Sequence, residues 1–374
     1  MSMLFKPIQL AGLKLTNRIV VPPMVMYQGV DGQAHNFHLM HYGSLAVSGA
    51  GAIIIEATAV EQQGRITAYD IGLWSEQTQT ALGAVIKGIR EFSATPFIVQ
   101  LAHAGRKASA SRPHEGGGQI SLKDGGWQTV APSALPYSEG DTIPVALDRA
   151  GLERVKDSFV KAASRAAAIG IEGVELHAAH GYLLHQFLSP LSNERTDEYG
   201  GNLENRMRFP LEVFKAVRAV FPANLPVGVR ISGSDWTEGG WSIEDNLVFA
   251  KSLQQLGCNF IHVSGGGLSP KQVIQPAPGY QVGFAAAIRQ MLQKEYADKA
   301  MPVIAVGLIT EPVQAESILV SGQADMVAIG RNILYNPRWP WHAAVALKET
   351  ISTTSSYWRS KSHELKNLFA TEEK

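Results

Sequence analysis

The amino-acid sequence predicts an α/β fold, a single (β/α)8 TIM barrel, and three observations carry that expectation. Eight short apolar runs rich in Val and Ile recur along the chain, as strands buried on both faces require. Amphipathic stretches with a period near 3.6 residues separate them. No run leads through a GxGxxG turn into a helix, the mark of an open, doubly wound dinucleotide-binding sheet. Strictly alternating strands and helices over 374 residues close as one barrel, a fold that reaches this length as a single unit.

The elements follow in order. Residues 5–16 alternate as PIQL and LKL around Ala11 and Gly12, a small hairpin ahead of the barrel. The first four strands read NRIVVPP (17–23), AIIIEAT (52–58), PFIVQLA (96–102) and EGVELH (172–177). LPVGVRIS (225–232), NFIHVSG (259–265), MPVIAVG (301–307) and ADMVAIG (324–330) complete the eight. Helices are expected over 38–48, 77–92, 147–169, 203–221, 244–256, 284–296 and 311–321. In the third, Leu152, Val155, Phe159, Val160 and Ala163 keep the helical period and Gly170 ends it. Residues 103–146, rich in Gly and Pro, form a long capping loop after strand three; loops of that length usually serve function. The chain thus divides into a barrel over 1–349 and a polar C-terminal tail over 350–374.

Composition narrows the function classes. Hydrophobic residues make up 45% and charged residues 18%, enough to bury a large core. Lys+Arg and Asp+Glu both number 33, so the net charge of zero offers no field for nucleic acid or an anionic membrane. Cys258 is the one cysteine, which rules out an intrachain disulfide and a cysteine-ligated cluster. The N-terminal residues lack a signal-peptide core, and no stretch approaches the roughly 20 apolar residues of a membrane span. A cytoplasmic enzyme acting on small molecules is the expectation.

Active sites of such barrels lie at the C-terminal ends of the strands. Strand four ends in His177, Ala178, Ala179, His180, Gly181 and Tyr182. Two imidazoles three residues apart can aim two N–H groups at one oxygen and stabilise an enolate, while Tyr182 can supply a proton. The alternatives are a pair of structural histidines or a metal pair, the latter lacking carboxylates in the motif. Strand five carries Arg230, which needs a persistent anion, either a cofactor or a carboxylate such as Glu175 or Glu56. Gln100 on strand three offers a donor and an acceptor. Gly307 and Gly330, with Arg331, begin the loops after strands seven and eight, where such barrels commonly hold phosphate, although glycines there can equally be plain turns.

These residues make the chain recognisable: it resembles the old yellow enzyme family, in its bacterial xenobiotic-reductase-like, thermophilic-like branch. The most specific passages are HAAHGYLLHQFLSPLSNERTDEYGGNLENR (177–206), QLAHAGRKA (100–108), EATAV (56–60) and GRIT (64–67), and the likeness runs from residue 4 to about 348. The resemblance implies an NAD(P)H:FMN ene-reductase with non-covalent FMN, reduced by NADPH or NADH, that passes hydride from flavin N5 to the β-carbon of enones and enals. It implies that His177 and His180 bind the carbonyl oxygen and Tyr182 protonates the α-carbon. Pro22, Pro23, Met24, Val25, Ala57, Gln100 and Arg230 would contact the flavin, Gly307, Gly330 and Arg331 its phosphate, and Tyr27 the substrate. A homodimer or homotetramer is the implied assembly.

The chain departs from the branch at two places. Val25 stands in PPMVMY (22–27) where many members carry cysteine. The tail offers Arg359, within SSYWRSK (355–361), for the arginine that the branch sends into a neighbouring active site, with Tyr357 and Trp358 to anchor it. Iron–sulfur relatives such as the dienoyl-CoA reductases and trimethylamine dehydrogenase need more cysteines and further domains. A non-catalytic flavin-binding barrel would need neither histidine nor Tyr182.

Overall fold

The computed structural model describes residues 2–370, so Met1 and the last four residues of the expected tail, 371–374, lie outside it. Eight parallel strands close a barrel: Ile19–Val21 (β1), Ala52–Ala59 (β2), Phe97–Ala102 (β3), Gly173–Ala178 (β4), Val227–Ser232 (β5), Ile261–Ser264 (β6), Val303–Ala305 (β7) and Met326–Ala328 (β8). All eight coincide with the apolar runs, most of them trimmed at their ends, while β2 and β4 each run one residue further, to Ala59 and Ala178. Pro22 and Pro23 fall outside β1 because proline has no N–H for the ladder. Gly307, at φ 131°, lies beyond the end of β7.

The helices are Asn36–Ala46 (α1), Glu76–Arg90 (α2), Arg149–Ala168 (α3), Leu183–Leu188 (α4), Leu203–Val220 (α5), Ile243–Gln255 (α6), Val282–Tyr296 (α7), Pro312–Val320 (α8), Arg331–Tyr335 (α9) and Trp339–Leu347 (α10). The longer amphipathic helices α2, α3, α5 and α6 are capped by local chemistry: Ser75 and Ser242 form capping boxes, while Asp148 and Asn202 accept from Gly151 N and Asn205 N. Three helices escape the periodicity. The six residues of α4 are all buried and α9 has five, too few for a polar face to show, and α10 (WPWHAAVAL) is apolar on nearly every side.

Two apolar clusters result. The larger lies between strands and helices. The smaller fills the barrel, with Ile54, Ile98, Phe260, Ile304 and Met326 meeting Leu10 and Leu15 of the hairpin. That hairpin pairs Ile8–Leu10 with Leu13–Leu15 and anchors Gly12 N on Asn224 O at 2.8 Å. An apolar plug at one end leaves the polar residues to the other. The long loop, 103–146, carries three short 3₁₀ turns and a two-residue pairing of Val130–Ala131 with Val145–Ala146. In the tail, Ile351–Ser352 pairs with Phe369–Ala370, and the Trp341 ring of α10 meets the rings of Tyr357 and Phe369 edge-on. Among the described residues, no helix is long and apolar enough to cross a membrane.

Candidate active site

His177, Arg230 and His262 are Cα neighbours across β4, β5 and β6, so the barrel register gathers them at one level. Beyond them the chain turns sharply. His180 has φ 56° and Gly181 φ 72°, and left-handed backbone at a non-glycine residue is a cost kept where the surroundings impose it. The surroundings here are specific. His180 N donates to Ser232 Oγ at 2.9 Å, and Gly181 N donates to His185 Nδ1 at 2.9 Å. Behind that imidazole, His185 Nε2 lies 3.0 Å from Asp235 Oδ1, and Asp235 Oδ2 accepts from Ser189 Oγ and Trp241 N. Burial alone would raise the Asp235 carboxyl, but His185 and these hydrogen bonds hold it below its ordinary value.

This turn aims two nitrogens at one place. His177 Nε2 and His180 Nδ1 stand 3.3 Å apart, and the Tyr182 ring packs edge-on against His177 at 4.9 Å between centroids. Burial, and then the charge of Arg230, push both imidazoles well below their ordinary pKa, so both are neutral near pH 7. Burial also raises the Tyr182 phenol, aided by Tyr27 and Asp70, so it keeps its proton across the physiological range. The pair can donate to an oxygen and the phenol can give up a proton.

A cavity of about 220 Å³ reaches them through Ser264, which lies 2.8 Å from His180 Nε2, and Arg230, the strand neighbour of His177; Pro22, Pro23, Met24, Gly307, Gly330 and Arg331, far apart in sequence, complete its lining. Arg230 is 8% exposed, its Nε is buried without a hydrogen-bond partner, and among the described residues no carboxylate comes within ion-pair distance of it. Neither carboxylate suggested by the sequence pairs with it. Glu175 accepts from Gln100 Nε2 at 2.8 Å and lies 2.9 Å from His262 Nδ1, while Glu56 accepts from Met26 N and Tyr42 Oη. A buried guanidinium facing a cavity that also holds Arg331 and two loop glycines fits a bound anion, and FMN supplies one in its phosphate and another in its reduced ring. Gln100 and Ala57 are buried on β3 and β2, and Val25 is half-buried between Met24 and Tyr27.

A second cavity, about 370 Å³, is lined by Tyr27, Tyr182, Lys107, Arg106 and Tyr137. Lys107 escaped the sequence reading, and its position explains why it is there. Its Nζ donates to His180 O at 2.9 Å and Gly267 O at 2.8 Å and lies 5.1 Å from the centroid of the Tyr182 ring. Burial, followed by the charge of Arg106, pushes its ammonium down to about 8. Ser264 was missed too. It ends β6 as His177 nearly ends β4, so inspecting the last residue of every strand would have found it. Arg359 is exposed on the tail and lines neither cavity.

Glu56 gives a test of the ground under β1 and β2. Burial pushes its carboxyl from the ordinary 4.5 up to about 7. The folded chain therefore holds a proton that the unfolded chain has already lost. Its contribution to stability is full below about pH 4.5, falls as pH rises toward 7, and changes little above that. Glu56→Gln is expected to flatten the slope in that window, read from urea midpoints at about pH 5 and about pH 7.5. An unaltered slope would assign it to other groups.

The model of the NADH:flavin oxidoreductase / NADH oxidase family matches residues 3–350. An NADPH dehydrogenase of Geobacillus sp. (strain WCH70) is 42% identical over 360 residues, covering 96% of this chain and 98% of that relative. One of Listeria innocua is 42% identical over 363 residues, covering 96% and 99%. Among solved structures, morphinone reductase in complex with tetrahydroNAD superposes with a TM-score of 0.74 at 28% identity, covering 99% of this chain and 98% of that one. An old yellow enzyme homologue from Zymomonas mobilis gives 0.74 at 26%, covering 96% and 97%.

Proposed function

Since the chain belongs to the NADH:flavin oxidoreductase / NADH oxidase family, that of old yellow enzyme, and is an NADPH-dependent FMN oxidoreductase, we propose that it reduces the C=C bond of α,β-unsaturated carbonyl compounds. The observation that carries the reading is the pair of neutral imidazole nitrogens, 3.3 Å apart, beside the Tyr182 ring and next to the cavity that fits FMN. FMN, when bound, exchanges two electrons with the nicotinamide and with the alkene. His177 and His180 hold the carbonyl oxygen and stabilise the negative charge that develops there. Tyr182 protonates the α-carbon, and its raised pKa keeps the phenol protonated until then.

Gln100, Arg230, Ala57, Pro22, Pro23, Met24 and Val25 would hold the ring of FMN, and Gly307, Gly330 and Arg331 its phosphate. On this reading residues 1–349 act as one FMN-binding unit, and Tyr27 borders the substrate. Arg359, exposed on the tail beyond the barrel, would contact substrate in the site of a second copy of the chain.

The test begins with the purified protein, which should be yellow and lose FMN on denaturation. NADPH should bleach it anaerobically, and 2-cyclohexenone should restore the colour. Tyr182→Phe keeps the ring and removes the proton, so recovery with enone should slow by roughly 10²-fold, the lower range of general-acid effects. Reduction by NADPH needs no proton at an α-carbon and serves as the internal comparison. Equal slowing of both half-reactions would make Tyr182 a packing residue.

A further inference from the structure

We propose that the ring proton of His180 moves from Nε2 to Nδ1 when a carbonyl oxygen enters the site, and that Ser264 accommodates the change by reversing its hydrogen bond. The inference rests on the reading of His177 and His180 as the carbonyl-binding pair. It starts from His177, whose tautomer is set by the backbone. Ala179 N donates to His177 Nδ1 at 3.2 Å, so that nitrogen presents a lone pair, and the neutral ring carries its proton on Nε2.

His177 Nε2–H points at His180 Nδ1, 3.3 Å away. Two ring nitrogens can share a hydrogen bond only when one has the proton and the other a lone pair. In this arrangement Nδ1 of His180 accepts and its own proton sits on Nε2, 2.8 Å from Ser264 Oγ. Burial and the charge of Arg230 keep both rings neutral, so neither carries a second proton that would evade the constraint.

A carbonyl oxygen has lone pairs and no proton. Against His180 in this form it would meet one donor, from His177, and one repelling lone pair. Two donors require Nδ1–H on His180, which turns Nε2 into an acceptor. The group facing Nε2 must then donate where before it accepted, and a hydroxyl does both by rotating. Ser264 is free to do so. It is buried at the end of β6, His180 is its one side-chain hydrogen-bond partner among the described residues, and it borders the cavity that also holds Arg230. Ser232, the other serine at this turn, is committed: it accepts from His180 N and donates to Gly266 O at 3.0 Å. Ser232 fixes the backbone while Ser264 serves the ring. The exchange leaves the net charge unchanged, one proton leaving Nε2 for water and one arriving at Nδ1.

The experiment uses oxidised holoenzyme labelled with ¹⁵N-histidine, which does not turn over without NADPH. Ring ¹⁵N–¹H correlations are recorded before and after 2-cyclohexenone, with saturation followed by flavin absorbance. His180 is assigned from the ring signals lost in a His180→Gln variant. The expected result is Nε2–H in the free enzyme and Nδ1–H in the complex, with His177 at Nε2–H throughout. In the complex, Ser264→Ala should move the His180 Nε2 signal toward that of a ring nitrogen without a donor, and Ser264→Thr should not. Nδ1–H already present in the free enzyme would overturn the inference. So would Nε2–H persisting in the complex while the His177 signal shifts, a result that leaves the carbonyl-binding reading standing. An Nε2 signal indifferent to Ser264→Ala would remove Ser264 from the switch. Saturation with neither histidine responding would overturn both readings together.

Discussion

Replacing His177 or His180 by Ala is expected to slow enone reduction by about 10²- to 10³-fold, corresponding to roughly 2.7–4 kcal/mol of lost transition-state stabilisation. The size follows from the setting. His177 is buried and His180 half-buried, and desolvation keeps both rings neutral, so each donates where water competes poorly. The loss should fall mainly on the half-reaction with enone, because charge develops on the carbonyl oxygen there. A phenol, which mimics the enolate, should bind both variants more weakly and lose its long-wavelength charge-transfer band. Rapid-mixing absorbance measurements of the two half-reactions make the comparison. Wild-type enone rates in both variants would end the donor assignment.

Gly181→Ala should do comparable damage without touching a reactive group. Gly181 has φ 72°, and a Cβ built there would come 2.2 Å from Gly267 O and 2.7 Å from Gly267 C. Those are backbone atoms, so no flexible tip can step aside. The left-handed conformation adds about 1–2 kcal/mol of strain for any L side chain. The crowding is mutual, since a Cβ on Gly267 (φ 91°) would come 2.5 Å from His180 O. Lys107 Nζ clamps these two carbonyls together, so the turn cannot swing outward without breaking the clamp. His180 and Tyr182 flank Gly181, and a displacement near 1 Å costs about 10²-fold in rate. Enone reduction is therefore expected to fall by about 10²-fold or more, with a lower thermal midpoint. A variant that matches the wild type in both would mean that the two loops separate readily.

Much of this was legible in the sequence, for identifiable reasons. A parallel strand buried on both faces must be a continuous apolar run, so VVPP, IIIEAT and VGVRIS announced themselves and the eight strands were countable. In a barrel the strand ends carry the chemistry, so knowing the strands pointed to His177, His180, Arg230, Gly307 and Gly330. Helices long enough to show an amphipathic period were visible, whereas α4, α9 and α10 were too short or too apolar to be.

What the sequence by itself determined is the element order, the end of the barrel where the polar residues gather, and the residue types waiting there. What only the tertiary structure decided is which of them touch. Ser264 lies 84 residues from His180, Glu175 lies 75 from Gln100, and Gly267 lies 160 from Lys107. That Glu175 faces Gln100 and His262, leaving Arg230 free to meet an anion, follows from the stagger of β3, β4 and β6. Strand identity is a local property, written in the period of side chains along one segment. A hydrogen bond between strand ends depends on barrel closure, register and rotamer together, and no single segment contains that information.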